Sequence, residues 1–224
     1  MDRDDLKRAA AEAAIEYVKP GSTIGVGTGS TAEYFIAELA ARPRLIAAAV
    51  ASSEVTATAL RAAGIRVLDP AAAPYPLALY VDGADEVDAE LRLIKGGGGA
   101  HAREKVLATA AELFVCIVDE TKLVERLGRF PLPLEVVPWA AAFVARRLTA
   151  LGASVAERPG FVTDNGNAVL DAVGLDLSDP EGLELELDAI PGVVECGIFA
   201  RRRADVVLVG SAAGVRRLSG RRTP

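Results

Sequence analysis

The chain has 224 residues, of which 51% are hydrophobic and 25% charged, enough for one large domain or a large and a small one. Its net charge of −6 excludes a basic nucleic-acid surface, because duplex binding needs clustered cations that displace counterions. Two cysteines without metal-ligand spacing and a single histidine argue against a zinc site, Cys116 and Cys196 read as buried reduced thiols, and the charged Met1–Arg8 segment is not expected to be a signal peptide.

No apolar run approaches the roughly 18 residues of a membrane span, so the protein is expected to be cytoplasmic with no membrane partner. Residues 4–18 repeat apolar side chains at helical spacing up to the stop at Pro20-Gly21. Thr23–Gly27 reads as a strand entering a glycine-rich turn, and Thr31–Ala41 as a helix capped by Ser30 or Thr31. Leu45–Ala51 reads as a buried strand, Ser53–Ala63 as a helix ending at Gly64, and Ile65–Leu68 and Leu77–Val81 as strands. Leu91–Ile94 is a short strand before Gly96–Gly99, Arg103–Ala111 a helix, and Leu113–Val118 a strand with no polar alternation. Unbroken apolar strands alternating with helices indicate a parallel sheet covered on both faces.

The pattern changes after Pro131 and Pro133. A strand (Leu134–Val137) precedes a helix opened by Pro138, two strands (Ser154–Glu157 and Ala168–Val173) flank the Asn165-Gly166 turn, and a helix capped by Asp179 leads to a strand at Val193–Phe199. The order β-α-β-β-α-β is the ferredoxin-like unit. Asp205–Gly210 is again continuously apolar and is expected to return to the first sheet. The fold class is therefore α/β, a Rossmann-like, mostly parallel sheet with helices on both faces and a small inserted ferredoxin-like α/β domain. The boundaries are 1–130 and 203–224 for the large domain and 131–202 for the small one. The Arg201–Arg203 run and the arginine-rich tail read as solvated or as subunit contacts.

An acidic protein that handles an anion must concentrate positive potential locally. Only five of the 25 basic residues are lysines (Lys7, Lys19, Lys95, Lys105, Lys122), and Lys95 and Lys105 bound a glycine cluster. Gly25-Val26-Gly27-Thr28-Gly29-Ser30-Thr31 lacks the third glycine of a dinucleotide fingerprint and the lysine of a Walker A loop. Backbone N–H groups and hydroxyls at a helix N-terminus remain, a setting that suits phosphate; a tight turn with a capping hydroxyl is the plainer alternative. Asp82-Gly83-Ala84-Asp85 puts two carboxylates at the end of an apolar strand, with small residues between them; a solvated acidic loop is the alternative. In Lys95-Gly96-Gly97-Gly98-Gly99-Ala100-His101-Ala102-Arg103-Glu104-Lys105, four glycines allow close approach of backbone to a ligand, and Lys95 supplies a point charge. Glu104, in the first turn of the next helix, can act as a general base or simply complement the helix dipole. His101 reads as a loop residue rather than a participant in the chemistry.

Together these clusters resemble the type A ribose-5-phosphate isomerases. Gly128–Pro138, Val162–Asn167 and Ala189–Glu195 match as well, so the resemblance covers nearly the whole chain. It implies reversible aldose–ketose isomerisation of ribose 5-phosphate and ribulose 5-phosphate through an enediol, with no metal or organic cofactor. It also implies a homodimer or homotetramer that works in the pentose phosphate pathway. Glu104 matches the general base, and Asp82, Asp85 and Lys95 match groups that bind the sugar, assist ring opening and stabilise the oxyanion. Thr28, Gly29, Ser30, Thr31, Gly83, Ala84, Gly96, Gly97 and Gly98 match substrate- and phosphate-binding positions, and Lys7 and Lys122 basic substrate-side residues. Gly99, His101 and Ala102 depart from the family pattern. A sugar-phosphate-sensing regulator would need a basic helix-turn-helix, for which Met1–Gly21 has room for only one helix. A CoA-transferase-like enzyme would leave Asp82–Asp85 unexplained.

Overall fold

The computed structural model describes residues 2–220. Its contacts divide the chain into two compact units, Met1–Ala84 with Arg103–Lys122 and Ala204–Pro224, and Asp85–Ala102 with Leu123–Arg203. The second unit is wider than the 131–202 span drawn from sequence. It takes in Asp85–Ala102 because two short strands there join a small sheet with a strand near residue 198.

In the first unit, α1 (Arg3–Ala14) is capped by Asp2, whose carboxylate accepts from Asp5 N–H while Asp5 reciprocates. A 3-10 turn, Ile15–Tyr17, follows where a continuous helix was expected. β1 (Thr23–Val26), α2 (Ser30–Ala40), β2 (Ala48–Ala51) and α3 (Glu54–Ala62) come next. Ser53 caps α3, whereas α2 begins at Gly29 without a side-chain cap, so neither Ser30 nor Thr31 takes that role. Residues 65–68 contribute only the bridge Ala49↔Val67. β3 (Tyr80–Asp82) completes the first half of the sheet.

Two short strands of the second unit follow, β4 (Glu86–Val87) and β5 (Leu93–Ile94), before α4 (His101–Ala110) and β6 (Phe114–Asp119). The remaining elements are β7 (Leu132–Val136), α5 (Ala141–Ala150), β8 (Ser154–Glu157), β9 (Ala168–Val173), α6 (Pro180–Asp188), β10 (Val193–Cys196), β11 (Ile198–Phe199), β12 (Val206–Ser211) and β13 (Gly214–Ser219). The large sheet runs β13-β12-β6-β3-β1-β2, parallel except for β13. Alternate residues of its strands and of the residue leading into β3 (Ile24 and Val26, Leu79 and Val81, Val115 and Ile117, Val206 and Leu208) join one buried cluster with Ala10, Ala14, Phe35 and Leu39. The intervening Tyr80, Phe114, Cys116 and Val207 are equally buried. A strand with both faces covered has no polar side to alternate with, which is why these runs read as uniformly apolar.

In the second unit the sheet order β10-β7-β9-β8, antiparallel throughout, is that of a ferredoxin-like layer. Leu132, Leu134 and Val136 of β7 pack with Val144 and Leu148 of α5 and Leu187 of α6. The expected strand Val193–Phe199 is split. Gly197 N–H donates to the Pro133 carbonyl, and a Cβ on Gly197 would lie 2.3 Å from the Lys95 carbonyl oxygen, so β10 pairs with β7 while β11 pairs with β5.

The opposite face of β7 carries Glu135, fully buried, whose Oε1 accepts from Thr163 Oγ1 (2.9 Å), Asn165 Nδ2 (3.0 Å) and Asn167 Nδ2 (2.8 Å). One acidic side chain thus ties down the Asn-Gly turn. Replacing Glu135 by Ala removes the acceptor shared by three donors, and leaving buried polar groups unmade is costly. The expected loss is about 2–4 kcal/mol, read as a lower urea midpoint at unchanged m-value.

Candidate active site

In the first unit the parallel strands end at one edge, and the strand order reverses between β1 and β3, the place where open α/β sheets bind ligands. Register sets Val26 opposite Val81, so the residues that follow, Gly27 and Asp82, meet there. Their approach is close: a Cβ on Gly27 would lie 1.9 Å from Asp82 Cγ. Asp82 is fully buried, and three donors hold its carboxylate. Thr28 N–H (3.1 Å) and Gly83 N–H (2.7 Å) donate to Oδ1, and the Tyr80 hydroxyl donates to Oδ2. Tyr80 is itself enclosed, 5.1 Å from Phe114 between ring centroids and against Gly25, where a Cβ would lie 2.8 Å from Cδ2.

Thr28 Oγ1 joins a cluster of hydroxyls, 2.7 Å from Ser52 Oγ, 2.8 Å from Ser53 Oγ and 3.0 Å from Thr56 Oγ1. Thr56 Oγ1 in turn donates to the Gly27 carbonyl at 2.9 Å. The glycine turn is therefore held from below, with Gly29 and Ser30 exposed at the start of α2. Glu104 lies in the first turn of α4 and is 4% exposed. Its charge reaches the same cluster. Burial pushes the Tyr80 hydroxyl well above the ordinary 10.0, and the negative charges of Asp82 and Glu104 push it further. Tyr80 therefore stays a protonated donor to Asp82.

Of the expected site residues, Lys7, Thr28, Gly29, Ser30, Thr31, Asp82, Gly83, Ala84, Glu104 and Lys122 belong to the first unit. Asp119, at the end of β6, accepts from Arg3 of α1 at 3.1 Å and from the Thr121 backbone at 3.0 Å. One carboxylate thus anchors both the helix that carries Lys7 and the turn that carries Lys122. Lys7 Nζ is paired with Asp4 at 2.9 Å. A separate cavity of about 460 Å³ on this unit is lined by Ser53, Glu54, Arg61, Asp69 and Arg103, among others. Arg103 pairs there with Glu54 at 3.2 Å, and neither Asp82 nor Glu104 lines the cavity, so it is not the site built around them.

Asp85, Lys95, Gly96, Gly97 and Gly98 belong to the second unit. Asp85 Oδ2 accepts from Gly97 N–H at 2.8 Å, and Lys95 is 3% exposed with Nζ 5.6 Å from the Phe199 ring centroid. Lys95 N–H donates to the Gly197 carbonyl at 2.9 Å, which fixes the residue at the end of β5. His101, fully buried, receives the Glu135 backbone N–H on Nε2 at 3.1 Å, and a Cβ on Gly96 would lie 2.6 Å from its Nδ1. At Gly99 (φ +73) a Cβ would likewise lie 2.4 Å from Phe161 Cζ. Cys196 lies within 4.8 Å of carboxylate atoms of Asp188 and Glu195. Both carboxylates accept from Cys196 N–H, which accounts for the grouping.

Sequence reasoning missed Tyr80, Ser52, Ser53 and Thr56. Ser52-Ser53 directly after an apolar strand is the same strand-to-helix signal as Gly27–Ser30 and could have been read in that way. Tyr80→Phe removes the donor to Asp82 Oδ2 and is expected to lower kcat/KM by about 10-fold, the value of one hydrogen bond to a charged group. It also carries a pH signature. A pKa raised by folding contributes stability that is complete below pH 10 and is lost as pH climbs toward the folded value. The stability difference between wild type and Tyr80→Phe should therefore shrink above pH 10 in paired urea melts, and a constant difference would contradict the assignment.

The family model for ribose 5-phosphate isomerase A (phosphoriboisomerase A) matches residues 48–214. The chain is 54% identical over 215 residues to ribose-5-phosphate isomerase A of Acidithiobacillus ferrooxidans, covering 96% of this chain and 98% of that protein. Among solved structures, the ribose 5-phosphate isomerase A of Neisseria gonorrhoeae superposes with a TM-score of 0.95 at 45% identity, covering 97% of each chain. A D-ribose-5-phosphate isomerase in complex with phospho-erythronic acid superposes with a TM-score of 0.94 at 37% identity, covering 98% of this chain and 100% of that one. With its family model matching residues 48–214 and relatives matched along nearly their full length, the chain belongs to the ribose 5-phosphate isomerase A family.

Proposed function

We propose that this protein interconverts D-ribose 5-phosphate and D-ribulose 5-phosphate by proton transfer within the open-chain sugar. The observation that carries the reading is the burial of Glu104 and Asp82 in one unit, both felt by Tyr80, in a chain of this family. Glu104 takes the proton from C2 of the aldose as the C1 carbonyl oxygen gains negative charge. The hydroxyl proton passes from O2 to O1, and the same carboxyl returns its proton to C1 as the oxygen on C2 becomes the carbonyl. A buried ammonium suits the developing oxyanion, and Lys95 takes that role. Asp82 and Asp85 hold sugar hydroxyls and assist ring opening. Thr28–Thr31, Gly83, Ala84 and Gly96–Gly98 bind substrate through backbone N–H groups and hydroxyls, with Lys7 and Lys122 on the anionic side.

No step needs a metal or organic cofactor, so the test is an equilibrium assay of purified protein on ribose 5-phosphate with a chelator present. Ribulose 5-phosphate is the expected product, and an inactive wild type would sink the assignment. A cytoplasmic location is part of the proposal; no described helix is long and apolar enough to cross a membrane. Assembly as a homodimer or homotetramer is supported by Trp139, which is 96% exposed and would gain from cover. Light scattering that finds only monomer at micromolar concentration would refute it.

A further inference from the structure

Four consecutive glycines have no side chains to hold them, and glycine has more backbone freedom to lose than any other residue. Gly97 and Gly98 are also exposed. A segment that presents its backbone to a ligand in one conformation must therefore be fixed by its neighbours. Gly97 N–H is held by Asp85 Oδ2, and Gly99 rests on the Phe161 ring. The third restraint comes from the small antiparallel sheet of the same unit. Arg158, one residue past β8, donates from Nη1 to the Gly97 carbonyl at 3.0 Å.

Arg158 is itself clamped. Its Nε and Nη2 each lie 2.6 Å from an oxygen of Asp171, and its guanidinium carbon is 5.7 Å from the Phe161 ring centroid. Asp171 sits on β9 opposite Pro133 of β7 and Ala156 of β8, so sheet register places it. The planar fork spends one edge on Asp171 and leaves Nη1 for the loop, a geometry that a lysine ammonium cannot copy.

We propose that Arg158, aimed by Asp171, is a positioning residue for the isomerisation: by bonding the Gly97 carbonyl it orients the peptide between Gly97 and Gly98 and polarises the Gly98 N–H as a donor to an oxygen of the bound substrate. A charged donor on one end of a peptide unit strengthens the hydrogen bond made by the other end. Arg158 touches no reacting atom, and its effect falls on binding. The inference rests on the isomerase reading above.

The test uses full-length Arg158→Met, which keeps the apolar stem, Arg158→Lys, which keeps the charge, and Asp171→Asn. Steady-state kinetics on ribose 5-phosphate accompany amide hydrogen exchange of the substrate-free proteins. Arg158→Met is expected to raise KM by about 10-fold, as loss of one charge-assisted bond implies, with kcat within about threefold. Exchange should quicken at Gly97–Gly99 while β8 and β9 amides keep their rates. Arg158→Lys should recover less than half of the KM change, and Asp171→Asn should move KM in the same direction. Unchanged KM and loop exchange in Arg158→Met would overturn the proposal, as would loosening of β8 and β9 together with the loop, which would make Arg158 merely structural. Exchange reads the anchoring without turnover, so an inactive wild type would overturn the isomerase reading while the exchange result still decides the anchoring.

Discussion

Replacing Glu104 by Gln is expected to lower kcat on ribose 5-phosphate by at least ~100-fold, the low end for removing a general base. KM should change little. Gln matches Glu in size and can still accept and donate hydrogen bonds from the first turn of α4, so the fold and the sugar-binding contacts persist. What it cannot do is hold the proton between its removal from C2 and its return to C1. The side chain is 4% exposed, so bulk water cannot easily act in its place. The variant should melt within a few degrees of wild type, and near-normal turnover would remove Glu104 from the mechanism. One further comparison separates base from electrostatic bystander. If Glu104 only raised the Tyr80 pKa, Glu104→Gln and Tyr80→Phe would have similar small effects; a base makes the first far larger.

The parallel strands, the ferredoxin-like order and the return of β12 to the large sheet were all legible because each leaves a periodic or continuous apolar trace. β13 left none. It is an exposed antiparallel edge carrying Arg216 and Arg217, with nothing to bury and hence no alternation to detect. Part of the arginine-rich tail, Arg221 and Arg222, lies outside the described residues. Val193–Phe199 misled for the opposite reason: the run is apolar apart from Glu195, but at Gly197 the Lys95 and Pro133 backbones come too close for a side chain. Proximity of that kind is a property of two distant segments and has no local signature.

The site divides along the same line. A glycine-rich turn, a carboxylate at a strand end and another in the first turn of a helix singled out Thr28–Thr31, Asp82 and Glu104 as candidates, because each combines a special residue type with a special place in the fold. Tyr80 did not stand out, since a tyrosine inside an apolar strand is ordinary core until its hydroxyl is seen to reach Asp82. Arg158 was equally silent. Its partners, Gly97 and Asp171, lie 61 and 13 residues away and meet it only through sheet register. His101 shows the reverse. As the single histidine it drew attention, yet its ring is buried packing for Gly96 and an acceptor for a β7 amide.

Gly27→Ala should be the most damaging small substitution in the glycine turn, and the reason is not the one the motif suggests. Gly29 has φ +117, where any side chain strains the backbone, but no atom lies within 4 Å of a Cβ built there. Gly27 is the opposite case. Its backbone accepts an L residue, and the added methyl would lie 1.9 Å from Asp82 Cγ and Oδ1. Something must move, and the Gly27 carbonyl is tied to Thr56 while Asp82 is tied to Thr28, Gly83 and Tyr80. Whichever gives way, the carboxylate shifts against the turn by an ångström or more. Misplacing a catalytic group by that distance costs on the order of 100-fold, so kcat/KM is expected to fall by about that factor. Far-UV circular dichroism should stay native, because neighbouring strands keep their ladder. An additional change of Asp82 to Gly in the Gly27→Ala background makes room for the methyl, because the Asp82 Cβ alone would still lie 2.4 Å from it. If displacement of Asp82 is the whole defect, the double variant should be no less active than Asp82→Gly alone, and a further loss would show that Gly27 serves the substrate in its own right.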